Sequence, residues 1–368
     1  MNNAKKKQRI TFILLGAYPL FFPDENPAYG GAEIDTYSIA TSLDKKLFDV
    51  HFIVGDFGQQ KKTEIVREIT LHRGQKKNSG NIITSAQNFF RLATILLHIS
   101  PAVLFTKGVS WQTVEILLLG KITRSRIIVK SSHIRNIDGS LNRTLYGKIF
   151  FRLINLIDTF ILQNEEDRSL FFNTFPHYRG DVITIRNFQE IPPRQARHFQ
   201  KNAIWVGRSE PFKRPHLLID LALLFPEWHF TMVMPKTNSI IFEKTRERVQ
   251  KISNITFIPG ASAHDLKSLY LQSSFLIVTS ENEGFPNTIL ESLKHGTPVL
   301  SFLNFDAIIE TNQCGAIAKD ITHMSEILQS QNETNWHVLS RNAHTTAKKY
   351  FDKNTGIIKY EKLFSSSK

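Results

Sequence analysis

Glu283 and Glu291 stand eight positions apart in ENEGFPNTILESLKHGTPVL, residues 281–300. The preceding run, FLIVTS from 275, reads as a buried strand. Pro286 suits the first position of a helix, and Gly296 followed by Pro298 suits its stop. Glu283 is then placed just past a strand end, in a loop it shares with Phe285. Beside it is a helix start whose N–H groups, from Asn287 and Thr288 onward, attract phosphate. Glu291 follows about one turn further in, roughly 5.4 Å or a little more along the axis. A carboxylate there can accept two vicinal hydroxyls. A nucleotide laid along the helix would fit this pattern, with phosphate at the start, ribose one turn on and Glu283 reaching whatever the diphosphate carries. Two solvated acids on a surface helix would show the same spacing, which leaves both readings open.

Short apolar runs that read as buried strands recur along the chain: ITFILLG at 10, FDVHFIVG at 48, AVLFT at 102, RIIVK at 126, DTFILQ at 158 and VITIRN at 182. Helical apolar spacing lies between them, as at Ile34, Tyr37 and Thr41, or at Phe150, Leu153, Ile154 and Ile157. Strand alternating with helix implies a parallel sheet covered on both faces. FQEIPPRQARHFQ, residues 188–200, reads as a linker. The alternation then resumes with AIWVG at 203, HFTMVM at 229, ITFIPG at 255, FLIVTS at 275, PVLSF at 298 and GAIAK at 315. The expected organisation is α/β, with one domain over residues 1–190 and a second over 200–344. Residues 335–364 have helical spacing, and a C-terminal helix of about 345–368 is free to pack back on the first domain. Two domains imply a cleft, and open parallel sheets bind ligands at the carboxyl ends of their strands.

The 368 residues exceed what one core usually supports, at roughly 150 residues per domain. Hydrophobic residues at 41% and charged residues at 21% describe a folded chain without a solenoid repeat. The single cysteine, Cys314, excludes an intrachain disulfide, and the 13 histidines show no short-spaced His/Cys cluster, so no metal site is expected. No Asp-x-Asp pair is present either. The formal net charge of +13 favours anionic partners. Lys121, Arg124, Arg126, Lys130, Arg135, Arg143, Lys148 and Arg152 share their segment with one acid, Asp138, and with Tyr146, Phe150 and Phe151. That composition suits an anionic membrane surface or a phosphate, and equally a solvated basic face. MNNAKKKQR before ITFILLGAYPLFF resembles a signal peptide. Pro19, Pro23 and the absence of a small-residue cleavage site favour a first strand. The apolar stretch from Phe89 to Phe105 contains Arg91, His98 and Pro101, a poor match to the ~20 apolar residues of a membrane span.

Glu283-GFPNTIL-Glu291 followed by SLKHGTPVL resembles the Glu-x7-Glu signature of retaining GT-B glycosyltransferases of family 4. The resemblance implies two Rossmann-like domains facing across a cleft. It extends to AIWVGRSEPFKRPHLLIDLA, residues 203–222, where the family supplies an arginine and a lysine to the donor diphosphate, here Arg208 and Lys213. Fixed cations at that point would stabilise the negative charge of a departing nucleoside diphosphate. AYGGAEIDTYSIA is similar to the family's Gly-Gly-x-Glu loop, which implies a phosphate or acceptor contact at Gly31. His133 in RIIVKSSHIRN matches a histidine that faces the sugar, and ITFIPGASAHDL matches the loop that cups the nucleobase around Ile258 and Gly260. The sequence departs from the family at Asn187-Phe188, where Asn-Gly is frequent, at Arg214-Pro215, where glycine is common, at Ile134 after His133, and at Ser292 after Glu291.

The implied activity is transfer of a sugar, with retention, from a nucleoside-diphosphate sugar to a hydroxyl of a glycan or lipid-linked glycan in surface polysaccharide or glycoconjugate synthesis. Arg208, Lys213, Glu283 and His133 are the expected catalytic residues. Gly31, Ile258, Gly260, Phe285, Asn287, Thr288 and Glu291 are expected to bind the donor, with no metal or other cofactor. The expected location is cytoplasmic, with docking on the inner face of the membrane. An epimerase or phosphorylase would use the same architecture with other acid/base groups. A basic nucleic-acid-binding or scaffold protein is the reading of another class, without a recognition motif to support it.

Overall fold

The computed structural model describes residues 7–22, 30–76 and 82–366; the basic start at Lys5–Lys7 is thus covered only at Lys7, and Pro23 lies outside the described residues. The chain divides into two compact units. One runs up to Asn187 and includes the returning segment from Lys353; the other is Phe188–Asp352.

The first unit is built on strands β1 (Gln8–Ile13), β2 (Phe48–Asp56), β3 (Thr63–Val66), β4 (Ile69–Lys76), β5 (Val103–Lys107), β6 (Arg126–Lys130), β7 (Thr159–Leu162) and β8 (Asp181–Thr184). They form one sheet in the order β3-β4-β2-β1-β5-β6-β7-β8, parallel except for the β3–β4 hairpin at its edge. β5 and β6 are buried at every position because helices cover both faces. Phe12 stacks on Phe52 and packs at a tilt against Phe105 across neighbouring strands. Phe364, from the helix Lys353–Ser365, meets Phe12, Phe48 and Phe105 edge-on at 6.0–6.4 Å. The C-terminal segment therefore belongs to the first unit through its aromatic burial. The Arg126 guanidinium fixes it further by donating to the Leu363 and Ser366 carbonyls.

Lys107 and Lys130 close β5 and β6, and both are buried, Lys130 completely. Their ammonium groups lie 2.7 and 2.9 Å from Asp35 Oδ2 and donate also to Asn187 Oδ1. Burial works to raise the Asp35 carboxyl, but Lys107 and Lys130 together hold it below the ordinary carboxylate value. Burial lowers the Lys130 ammonium to about 7, against the opposing pull of Asp35.

The second unit carries β9 (Asn202–Val206), β10 (His229–Val233), β11 (Ile255–Ile258), β12 (Phe275–Val278), β13 (Val299–Ser301) and β14 (Gly315–Ile317), an all-parallel sheet in the order β11-β10-β9-β12-β13-β14. The chain winds outward from β9 to β11, returns to the other side of β9 and winds out again. The reversal falls between β9 and β12. The long helix Glu333–Phe351 packs Trp336, Ala343, Ala347 and Phe351 inward. It breaks at Asp352, whose backbone is extended, and the next helix starts at Lys353 in the other unit. The segment 188–200 is part of the second unit, where the Gln189 amide donates to the Phe351 carbonyl at 2.9 Å.

Candidate functional site

In a doubly wound sheet the crevice at the carboxyl ends opens where strand order reverses. The loops there follow β9 and β12, and hydrogen bonds tie them together. The Thr279 hydroxyl donates to the Lys213 carbonyl at 2.6 Å and accepts from Trp205 Nε1 at 2.8 Å. Arg214 Nε donates to the Thr279 carbonyl at 2.7 Å and Nη2 to the Ser280 carbonyl at 3.2 Å, while the Glu281 amide donates to the Phe212 carbonyl. Arg214 adopts φ 48° and ψ 54°, the left-handed region that favours glycine. This sequence accepts that strain where glycine would avoid it, and its guanidinium links the two loops in return.

The stitching brings Lys213 onto Glu283. The ammonium donates to Glu283 Oε1, which also accepts from the Ser280 hydroxyl, and the two side chains are only 12% and 11% exposed. Arg208 lies on the same loop, beyond Gly207. Its side chain is exposed and makes no ion pair among the described residues.

The helix Asn287–Lys294 begins four residues past Glu283. Pro286 stands at its N-cap, one position earlier than the sequence suggests, and offers that end no side-chain acceptor. Asn287 and Thr288 form the first turn. Gly296, at φ +70°, ends the helix. A Cβ there would sit 3.2 Å from the Ser340 carbonyl. Phe285 is buried against Phe351 and Phe305, which leaves only its backbone to face a ligand. Glu291 accepts from the Tyr270 hydroxyl at 3.4 Å and from the Gln189 side-chain amide. Burial raises its carboxyl above the ordinary value, against the pull of Lys294.

Tyr270 belongs to the helix Ala263–Gln272, which follows β11 and is capped by Ser262, whose hydroxyl accepts from the Asp265 amide. Ile258, Gly260, Ala261, Asp265, Ser268 and Leu269 line an open pocket of about 290 Å³. A Cβ on Gly260 would meet nothing within 4 Å. One helix thus connects the pocket beside Gly260 to the Glu291 carboxylate.

Residues 187–333 match the family model described as glycosyl transferases group 1. The whole chain superimposes on sucrose-phosphate synthase from Thermosynechococcus elongatus with a TM-score of 0.79 at 13% identity, covering 98% of this chain and 100% of that one. The chain has the GT-B fold, and its second unit carries a match to glycosyl transferases group 1. A curated relative, an uncharacterized glycosyltransferase of Haemophilus influenzae, is 23% identical over 287 residues, 74% of this chain and 77% of its own. The pneumococcal O-GlcNAc transferase, solved in complex with UDP and GlcNAc, matches 74% of this chain and 59% of its own with a TM-score of 0.60 at 15% identity.

Two further residues singled out in the sequence lie in the first unit. His133 follows β6 and caps a short 3₁₀ turn, where its Nδ1 accepts from the Arg135 amide at 3.2 Å. Gly31 is the first residue of the helix Gly31–Ser42. The Glu33 carboxylate folds back over that helix start and accepts from the Gly30 amide at 3.0 Å. A Cβ on Gly16 or Gly30 would collide with it, at 2.7 and 2.9 Å. Both glycines therefore serve to seat Glu33. Of the eight basic residues clustered in the sequence, Arg126 and Lys130 are interior, while Lys121, Arg124, Arg135, Arg143, Lys148 and Arg152 are exposed. No helix of the described residues is long and apolar enough to cross a membrane.

Sequence reasoning missed Thr279, Ser280, Tyr270 and Gln189. The Thr279 and Ser280 hydroxyls sit in a run, TSENEG, that reads as ordinary loop chemistry, Tyr270 is one residue of a separate helix, and Gln189 reaches Glu291 across a separation of about a hundred residues that no local pattern reveals.

Proposed function

We propose that the enzyme moves a sugar, with retention of anomeric configuration, from a nucleoside-diphosphate sugar to a hydroxyl of a glycan or lipid-linked glycan, in surface polysaccharide or glycoconjugate synthesis. The observation that carries this reading is the Lys213–Glu283 pair, held where strand order reverses and directly before a helix start. In the proposed complex the nucleobase occupies the pocket at Ile258 and Gly260, and Glu291 accepts the ribose hydroxyls. The diphosphate meets Lys213, Arg208 and the first turn at Asn287 and Thr288. Fixed positive charge there favours the leaving diphosphate more in the transition state than in the ground state. Lys213 and Glu283 exchange partners as the donor enters: the ammonium turns to phosphate and the carboxylate to the sugar hydroxyls. The departing phosphate oxygen takes the acceptor proton on the face it leaves, so no divalent metal and no dedicated protein base enter the scheme. His133 orients the sugar or stabilises charge at its anomeric carbon, and Gly31 contributes a backbone contact. The neighbour solved with UDP and GlcNAc supports the donor class.

The deciding experiment is thermal-shift screening against UDP, GDP, ADP and dTDP, then their sugars, with turnover measured on the donor that stabilises. The expected result is one nucleotide preferred and turnover that survives chelator. If no nucleotide shifts the protein, or if Lys213→Ala and Glu283→Ala both turn over the donor as fast as the parent, the assignment fails. Docking at an anionic cytoplasmic leaflet is part of the proposal. Six exposed basic residues support it, each worth roughly 1 kcal/mol near such a surface, as do the exposed Trp111, Leu118, Ile122 and Leu145 in the same stretch of chain. Flotation with anionic but not neutral liposomes is expected.

A further inference from the structure

His198, Glu333 and His337 place their ligating atoms within 4.8 Å of one another on the surface of the second unit. Glu333 and His337 are four apart on one helix face, so their side chains meet at 2.9 Å from His337 Nε2 to Glu333 Oε1. His198 arrives from a different part of the chain, 3.6 Å from its Nδ1 to the same carboxylate oxygen. Its position is fixed by its neighbours. Arg197 turns inward to donate to the carbonyls of Ser273 and His295 and to the Thr297 hydroxyl, with its guanidinium 5.4 Å from the centre of the Trp336 ring. The next residue of an extended segment points the opposite way. The Phe199 amide donates to Glu333 Oε1 at 3.4 Å, and Asn332 caps the helix start through its acceptance from the Asn335 amide. Both ends of the cluster are therefore held by groups outside it.

We infer that His198, Glu333 and His337 form a binding site for a divalent transition-metal ion of the zinc class. Two imidazoles and a carboxylate without thiolate are the ligand set such ions accept. Ligand atoms about 2.1 Å from a tetrahedral ion lie about 3.4 Å apart, and the two separations to Glu333, 2.9 and 3.6 Å, bracket that value. Small side-chain rotations suffice, since the three side chains are 87%, 50% and 40% exposed. The ion would clamp the segment that leads into β9 onto the helix Glu333–Phe351. The site is remote from the sugar-transfer chemistry. His198 precedes the amino end of β9, and Trp336, next to His337, donates to the Ser274 carbonyl at the amino end of β12. Lys213 and Glu283 follow the carboxyl ends of the same strands.

The test uses the full chain, free of affinity tags and stripped with chelator, titrated calorimetrically with zinc chloride. The parent protein is expected to bind one more equivalent than His337→Ala or His198→Ala at matched concentration, with each variant at least tenfold weaker at that site. Zinc is expected to raise the melting temperature of the parent and not that of His337→Ala. Because His198 is exposed and His337 partly so, the variants are expected to keep the parental melting temperature in chelator. Equal stoichiometry with affinities within twofold for the parent and both variants, or no zinc uptake by the parent, would overturn the inference.

Discussion

Replacing Lys213 by Met and Glu283 by Gln, singly and together, tests the heart of the site before any substrate is known. Each side chain is about nine-tenths buried, and each is the other's only opposite charge in an ion pair among the described residues. Removing one partner from a fully buried pair costs roughly 3–5 kcal/mol, because the survivor keeps its desolvation penalty without compensation. The remaining exposure here, and the Ser280 hydroxyl that still serves Glu283, bring the expected loss to about 2–3 kcal/mol for each single variant. The double variant strands no charge, so it should recover at least ~1.5 kcal/mol relative to the sum of the singles. Urea unfolding read by tryptophan fluorescence measures this directly, since Trp205, Trp228 and Trp336 are all buried in the second unit. Single losses that add to within about 0.3 kcal/mol would show that the two groups do not meet, and the donor-site reasoning would fall with the pair. With a donor identified, Lys213→Met should also lower kcat by about 10²–10³, the usual cost of deleting one fixed group that stabilises developing negative charge.

Four further outcomes are expected. Lys130 binds its proton more weakly in the folded protein, at about 7, than in the unfolded chain at 10.5. The unfolded state therefore holds more protons between those values, and stability rises with pH across that window; Lys130→Met should flatten the rise, as followed by melting temperature from pH 6.5 to 10. Asp35→Asn, which leaves Lys107 and Lys130 without a counter-charge, should destabilise the first unit by roughly 3 kcal/mol or more in denaturant unfolding. Gly260→Trp should weaken nucleotide binding about tenfold in a titration, with stability changed by less than about 0.5 kcal/mol, because its side chain enters open space in the pocket. Since burial raises the Glu291 carboxyl, it protonates at a higher pH than an ordinary glutamate. Donor affinity should therefore fall on acidification from above the usual carboxylate range, and Glu291→Gln should remove that fall.

Most parallel strands were legible because they are short apolar runs, and the central ones β5, β6, β7, β12 and β13 are buried at every position. The β3–β4 hairpin was not. β3 alternates exposed and half-buried residues at the sheet edge, and its turn places Arg67 and Glu68 at φ 52° and 59° without the Asn-Gly signal that such turns favour. Arg208, Lys213 and Glu283 follow strands and precede helices, as their sequence context suggests. What no spacing could reveal is which of them meet: Arg208 projects outward while Lys213 turns onto Glu283, a difference set by the Arg214–Thr279–Ser280 hydrogen bonds. The expectation of no metal motif rested on short-range histidine spacing. His198 is remote in sequence from Glu333 and His337, and only folding of the 188–200 segment onto the helix brings them together.

The return of the Lys353–Ser365 helix to the first sheet has a consequence for biosynthesis. As the chain leaves the ribosome, β1 to β8 emerge first but lack Tyr360 and Phe364, the aromatic cover of Phe12 and Phe105. Residues 188–352 are continuous in sequence and can complete their own core while the earlier unit waits with a greasy face uncovered. Assembly of the amino-terminal half is thus deferred until translation has passed the carboxyl-terminal one, and a stalled or truncated product would expose that face to chaperones.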